Sequence, residues 1–93
     1  MSTPLEDLVR VVSTARDQAK TLLTALEQQG HPETSRSSSL YLALVSLRKR
    51  LTKEAPPVSA VVVELEQILT LCEGKLLRIK PDLEDALRIA RGG

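Results

Sequence analysis

From Leu5 to Leu26 the chain returns to an apolar residue every three or four positions. Leu5, Leu8, Val11, Val12, Ala15, Ala19, Leu22, Leu23 and Leu26 fall on one broad stripe when each residue turns the helix by about 100°. Glu6, Arg10, Asp17, Thr21 and Gln28 take the other side. Such a stretch must be an amphipathic helix, and its stripe must be buried against something. Thr3-Pro4-Leu5-Glu6 supplies the start: Thr3 as N-cap, Pro4 in the first helical position and Glu6 completing a capping box. Glu6 and Asp7 suit the positive end of the helix dipole. Gly30 and Pro32 end the helix. Its length of about 25 residues corresponds to roughly 37 Å.

Prolines cut the remaining chain into comparable pieces. A second helix is expected over about residues 35–54, since the residue before Pro56-Pro57 is pushed out of the helical region. A third is expected over 57–79, where Val58, Val61, Val62, Leu65, Ile68, Leu69, Cys72, Leu76 and Ile79 share a face. Gly74 interrupts it at a cost of about 1 kcal/mol, but the period persists on either side, which predicts continuation. Pro81 forces a break. A fourth helix over 82–91 would bury Leu83, Ala86, Leu87 and Ala90. No strand-like alternation and no internal repeat is present. The expected architecture is all-α: a single domain over 1–93, a three-helix up-down-up bundle with a short fourth C-terminal helix, or a four-helix bundle.

Composition narrows the function. Formal net charge is +1, which argues against a protein whose main task is coating nucleic acid. One Tyr, no Phe and no Trp leave little for bases to stack on. Cys72 is the only cysteine, so no intramolecular disulfide can form, which fits a reducing compartment. The first residues lack the pattern of a secretory signal. The longest apolar run is Leu40 to Val45, far short of the roughly 20 residues that span a bilayer. A cytoplasmic or nuclear protein with no membrane partner is expected.

Chemistry-bearing residues are sparse. His31, between Gly30 and Pro32, reads as an exposed loop histidine. Cys72 lies on the core stripe and reads as a buried small hydrophobe. One Cys and one His far apart do not make a metal site. Glu64, Glu66, Glu73, Glu84 and Asp85 lie on polar faces, where nothing shifts a carboxylate toward acid–base work. No phosphate loop, Ser-His-Asp set or zinc motif occurs. The expectation is a non-catalytic chain with no cofactor and no metal.

The informative stretch is Ser37–Leu51. Leu40, Leu44, Leu47 and Leu51 make one stripe, but Tyr41, Leu42 and Val45 fall beside or opposite it. Val63, Leu71, Leu77 and Ile89 are a similar surplus later in the chain. A contiguous exposed apolar patch marks an interaction surface. Arg48, Lys49, Arg50 and Lys53 follow, spread around the helix. They complement the helix dipole or balance the acids of the third helix. They also suit an acidic partner, or the phosphates of a nucleic acid in a competing reading. The sequence therefore points to an adaptor or scaffold. It would dock a partner's amphipathic helix, or self-associate into a homo-oligomer, through its second and third helices. Tyr41, Leu42, Val45, Arg48, Lys49, Val63 and Leu71 are the expected contact residues. Arg36-Ser37-Ser38-Ser39 is also a candidate basic-directed phosphorylation site.

Overall fold

A computed structural model describes residues 4–92. Four α-helices occur in the order α1 (Pro4–Gln29), α2 (Thr34–Lys53), α3 (Val58–Leu69) and α4 (Lys80–Ala90), with a 3-10 helix at Gly74–Ile79. No strand occurs among the described residues. The bundle measures 42 × 21 × 20 Å, with the long dimension set by α1. The expected N-cap Thr3 lies outside the described residues.

Each helix end has a local cause. At the end of α1, Gly30 adopts φ +61°. The His31 N–H bonds the Leu26 carbonyl at 3.0 Å, and the Gly30 N–H bonds the Glu27 carbonyl at 3.2 Å. That pair of bonds is the Schellman closure. Helix α2 begins at Thr34, whose hydroxyl donates to the His31 carbonyl at 2.7 Å. It stops at Lys53, ahead of Pro56-Pro57, through Ala55 at φ +44°.

Helix α3 is shorter than its apolar period predicts. It ends at Leu69 and does not continue through Gly74 to residue 79. The Thr70, Leu71 and Cys72 N–H groups bond carbonyls three residues back, which tightens the last turn. Glu73 is then extended and Gly74 takes φ +59°, so the chain redirects before the 3-10 helix begins. Leu76 and Ile79 stay fully buried because a spacing of three fits a 3-10 helix as well as an α-helix. Pro81 does not separate the two helices. It sits in the first turn of α4, where its missing N–H costs nothing.

The core is almost wholly aliphatic. Leu26, Leu40, Leu44, Leu47, Leu51, Leu65, Leu76, Ile79 and Leu83 are the largest fully buried side chains. Ala15 and Ala19 are also fully buried on α1, and their small size lets neighbouring helices approach its middle closely. Helix α1 packs chiefly on α2 and α4, while α3 packs on α4 and more lightly on α2. Helix α4 is thus a full wall of the bundle. Its place between α1 and α3 explains why Leu87 and Ile89 are partly buried against the core.

Two stripe residues are exposed. Leu5 is 39% and Val58 57% exposed. Both lie in the first turn of their helices, at the bundle end where α2 has stopped and α4 is finishing. No element lies beyond them to cover them among the described residues.

Candidate functional site

The groups that most often carry chemistry have structural roles here. Cys72 is 4% exposed, in the turn after α3. Burial pushes its thiol above its ordinary pKa, with Lys80 lowering it and Glu84 raising it to lesser degrees. The reactive thiolate is therefore disfavoured. His31 is not the exposed loop residue its neighbours suggest: its side chain is 25% exposed. Its Nδ1 accepts the Glu33 backbone N–H at 3.1 Å, because the short turn folds the ring back over the start of α2. No group of three or more His, Cys, Asp or Glu suited to a metal occurs among the described residues. No described helix is long and apolar enough to cross a membrane.

The surplus apolar residues divide between two surfaces. On α2 the seam with α1 is marked by Arg48, whose Nε donates to the Ser13 hydroxyl of α1 at 2.7 Å. Tyr41 and Val45 precede Arg48 by seven and three positions, so all three run along that edge. Each is partly buried, and Tyr41 packs against the core. Leu42 and Lys49, also seven apart, form the next line outward, and Leu42 is 60% exposed.

Across the seam, Arg16 and Lys20 stand three and seven residues after Ser13, on the same side of α1. The result is an apolar strip of Tyr41, Val45 and Leu42 with Arg16 and Lys20 beside it on α1, and with Arg48 and Lys49 continuing it toward the C-terminal end of α2. Asp17 engages Arg16 at 3.0 Å. Among the described residues, no acid lies within ion-pair distance of Lys20, Lys49 or Lys53. Helix geometry alone spreads the α2 cations around their axis; α1 adds Arg16 and Lys20 beside the strip that Arg48 and Lys49 continue. The spacing of Ser13, Arg16 and Lys20 was visible in the sequence, but its partner helix was not.

Val63 and Leu71 lie elsewhere. Arg50 leaves α2 on its other side and pairs with Glu64 of α3, so this ion pair stands between the Leu42 line and α3. Val63, 55% exposed, lies on the outer line of α3 between Ala60 and Gln67. Leu71 falls in the turn after α3 and packs partly against the core. Leu77 is exposed on the 3-10 helix.

An apolar cleft of about 260 Å³ at one end of the bundle had no counterpart in the sequence reading. Leu5, Leu8, Leu51, Pro56, Val58 and Ile89 are among its lining residues, and no charged side chain is. It offers no proton donor or acceptor for catalysis. Comparison of the chain with protein-family models, curated proteins and solved structures found no match in any of the three.

Proposed function

We propose that the chain is a non-catalytic protein-interaction module whose α1–α2 face docks an acidic amphipathic helix. The observation that carries this reading is the exposed Leu42 line, with cations beside it on α1 and at its end on α2 that no acid engages among the described residues, apart from the Arg16–Asp17 pair. A helix laid along that line would bury its apolar stripe on Leu42, Val45 and the ring edge of Tyr41. Acids on its α1-facing flank would meet Arg16 and Lys20, and acids near one end would meet Arg48 and Lys49. The charges would fix orientation and speed encounter, and the apolar contacts would hold the complex.

The test uses a synthetic helical peptide with Leu at helical spacing and Glu on the flanks, and a second in which Lys replaces Glu. Titration followed by amide chemical shifts should move α1 and α2 resonances with the acidic peptide and not with the basic one. Leu42→Ser with Val45→Ser should weaken binding at least tenfold while helicity is kept. Shifts confined to other surfaces, or equal affinity for both peptides, would overturn the reading. Salt-sensitive binding of random-sequence duplex DNA at this face, with no peptide binding, would favour a nucleic-acid role instead.

A further inference from the structure

The charges of this chain are sorted by element. Helix α2 carries Arg36, Arg48, Lys49, Arg50 and Lys53 and no acid. The following stretch, from Glu54 through α3 to Gly74, carries Glu54, Glu64, Glu66 and Glu73 and no Lys or Arg. Internal pairing uses only part of this. Arg50 meets Glu64, and Arg36 approaches Glu73 at 4.0 Å while lying closer to Glu33. Arg48 turns instead to Ser13, and Lys49 and Lys53 have no acid near them among the described residues.

Helix α3 keeps its main apolar stripe, Val61, Leu65 and Ile68, in its own core, and its outer side offers a shorter, acid-flanked line to a basic face. Its outward line is Ala60, Val63 and Gln67, with Val63 as the exposed apolar anchor. Glu64 and Glu66 flank that line on its two sides, toward α2 and α4, as their pairing with Arg50 and Arg91 shows. Glu66 is 53% exposed and meets Arg91 at 3.6 Å, which leaves it available to a second cation. The lengths match as well. Helix α3 rises about 18 Å, and the stretch from Tyr41 to Lys53 rises about the same.

We infer that the acidic amphipathic helix received by the α1–α2 face is α3 of a second copy of this chain. This rests on the docking reading above and supplies its partner. The contact joins unlike faces, basic on one copy and acidic on the next, so an open assembly of any length keeps one unused face of each kind, one at either end. Association of that type closes into a ring or grows as a chain and does not stop at two. The residues that the fold separates, Leu42 with Lys49 on one face and Val63 on the other, are the two halves of this contact. One short helix per contact is a small interface, so association is weak and depends on concentration and salt.

The test is molar mass by light scattering with refractive-index detection, over a hundredfold concentration range at low and high salt. The mass should climb past that of a dimer at low salt and return to that of a monomer at high salt. Leu42→Ser/Lys49→Glu breaks the basic face and Val63→Ser/Glu66→Lys the acidic face. Each alone should remain monomeric with unchanged helicity, and the equimolar mixture should form a one-to-one dimer, since each variant retains the face the other lacks. If a double variant loses helicity, Leu42→Ala and Val63→Ala serve in its place. A wild-type monomer throughout would overturn the inference, and so would a dimer plateau untouched by the variants. The acidic-peptide titration separates the two failures. Peptide binding by a chain that stays monomeric sinks the self-association alone, whereas loss of both removes the docking reading with it.

Discussion

The carboxylate of Glu33, in the turn before α2, occupies the space that a Cβ at position 74 would need, so a side chain there would have to displace it as well as take a positive φ. The same carboxylate receives the Lys75 backbone N–H, at 3.4 Å to each oxygen, and lies 3.4 Å from the Arg36 guanidinium. Glu33 therefore caps the 3-10 helix from across the bundle and ties the α1–α2 turn to the stretch after α3. Gly74→Ala should destabilise the fold by about 1–3 kcal/mol, from the positive φ and from the overlap with Glu33. Glu33→Ala should cost about 1 kcal/mol through the lost cap. In the double variant the overlap is gone, so the combined loss should be smaller than the sum. Denaturant melts of the four proteins measure that coupling, and strict additivity would show that the two residues do not meet.

Ser37 is fully buried on α2 and its hydroxyl has no hydrogen-bond partner. A buried hydroxyl without a partner is a net cost. Ser37→Ala should raise stability by about 1 kcal/mol, read as a higher midpoint in urea. A loss of stability would mean that the hydroxyl is satisfied in solution. Burial also removes Ser37 as a modification site and leaves Ser39 as the exposed member of the serine run.

Burial gives Cys72 a second measurable consequence. Its thiol in the folded protein ionises above the ordinary value of 9.0. Above that pH the unfolded chain gives up the thiol proton while the folded chain keeps it. The Cys72 contribution to stability is therefore intact below pH 9 and lost as pH rises through the interval between the two pKa values. Cys72→Ala should flatten that alkaline fall when melts are compared at neutral and alkaline pH. Iodoacetamide should label native Cys72 only at the rate of opening, and far faster in urea.

Ala55 sits at φ +44°, in a region that costs a residue with a Cβ roughly 1 kcal/mol or more. Ala55→Gly relieves that strain but gives the unfolded chain more freedom. The net effect should be between no change and a gain of about 1 kcal/mol. Ala55→Val should destabilise by more than 1 kcal/mol, because β-branching crowds the left-handed region. Equal stability of the Gly and Val variants would show that the α2–α3 turn relaxes in solution.

Two leucines on one helix separate core from surface. Leu44 is fully buried and Leu42 is 60% exposed. Leu44→Ala should cost about 2–5 kcal/mol, whereas Leu42→Ala should stay within about 0.5 kcal/mol. A large loss at Leu42 in thermal melts would make it a core residue and remove it from the docking face.

The sequence by itself determined the helices, because period and breaker residues act within a few positions of each other. The stripe from Leu8 to Leu26, the stop at Gly30 and the break at Pro56-Pro57 are all local, and all are where the pattern puts them. The end of α3 was not legible, since a spacing of three between Leu76 and Ile79 satisfies two kinds of helix. The carboxylate that fills the space beside Gly74 comes from Glu33, far back in the chain. The candidate face was half legible. Tyr41, Leu42, Val45, Arg48 and Lys49 stood out on α2, but a single helix wheel spreads its cations. Only the packing of α1 alongside, marked by the Arg48–Ser13 bond, brings Arg16 and Lys20 beside the same strip. Only the tertiary arrangement puts the Arg50–Glu64 pair between Leu42 and Val63. A periodic pattern tells which side of each helix is buried; which helices become neighbours depends on contacts between residues distant in the chain.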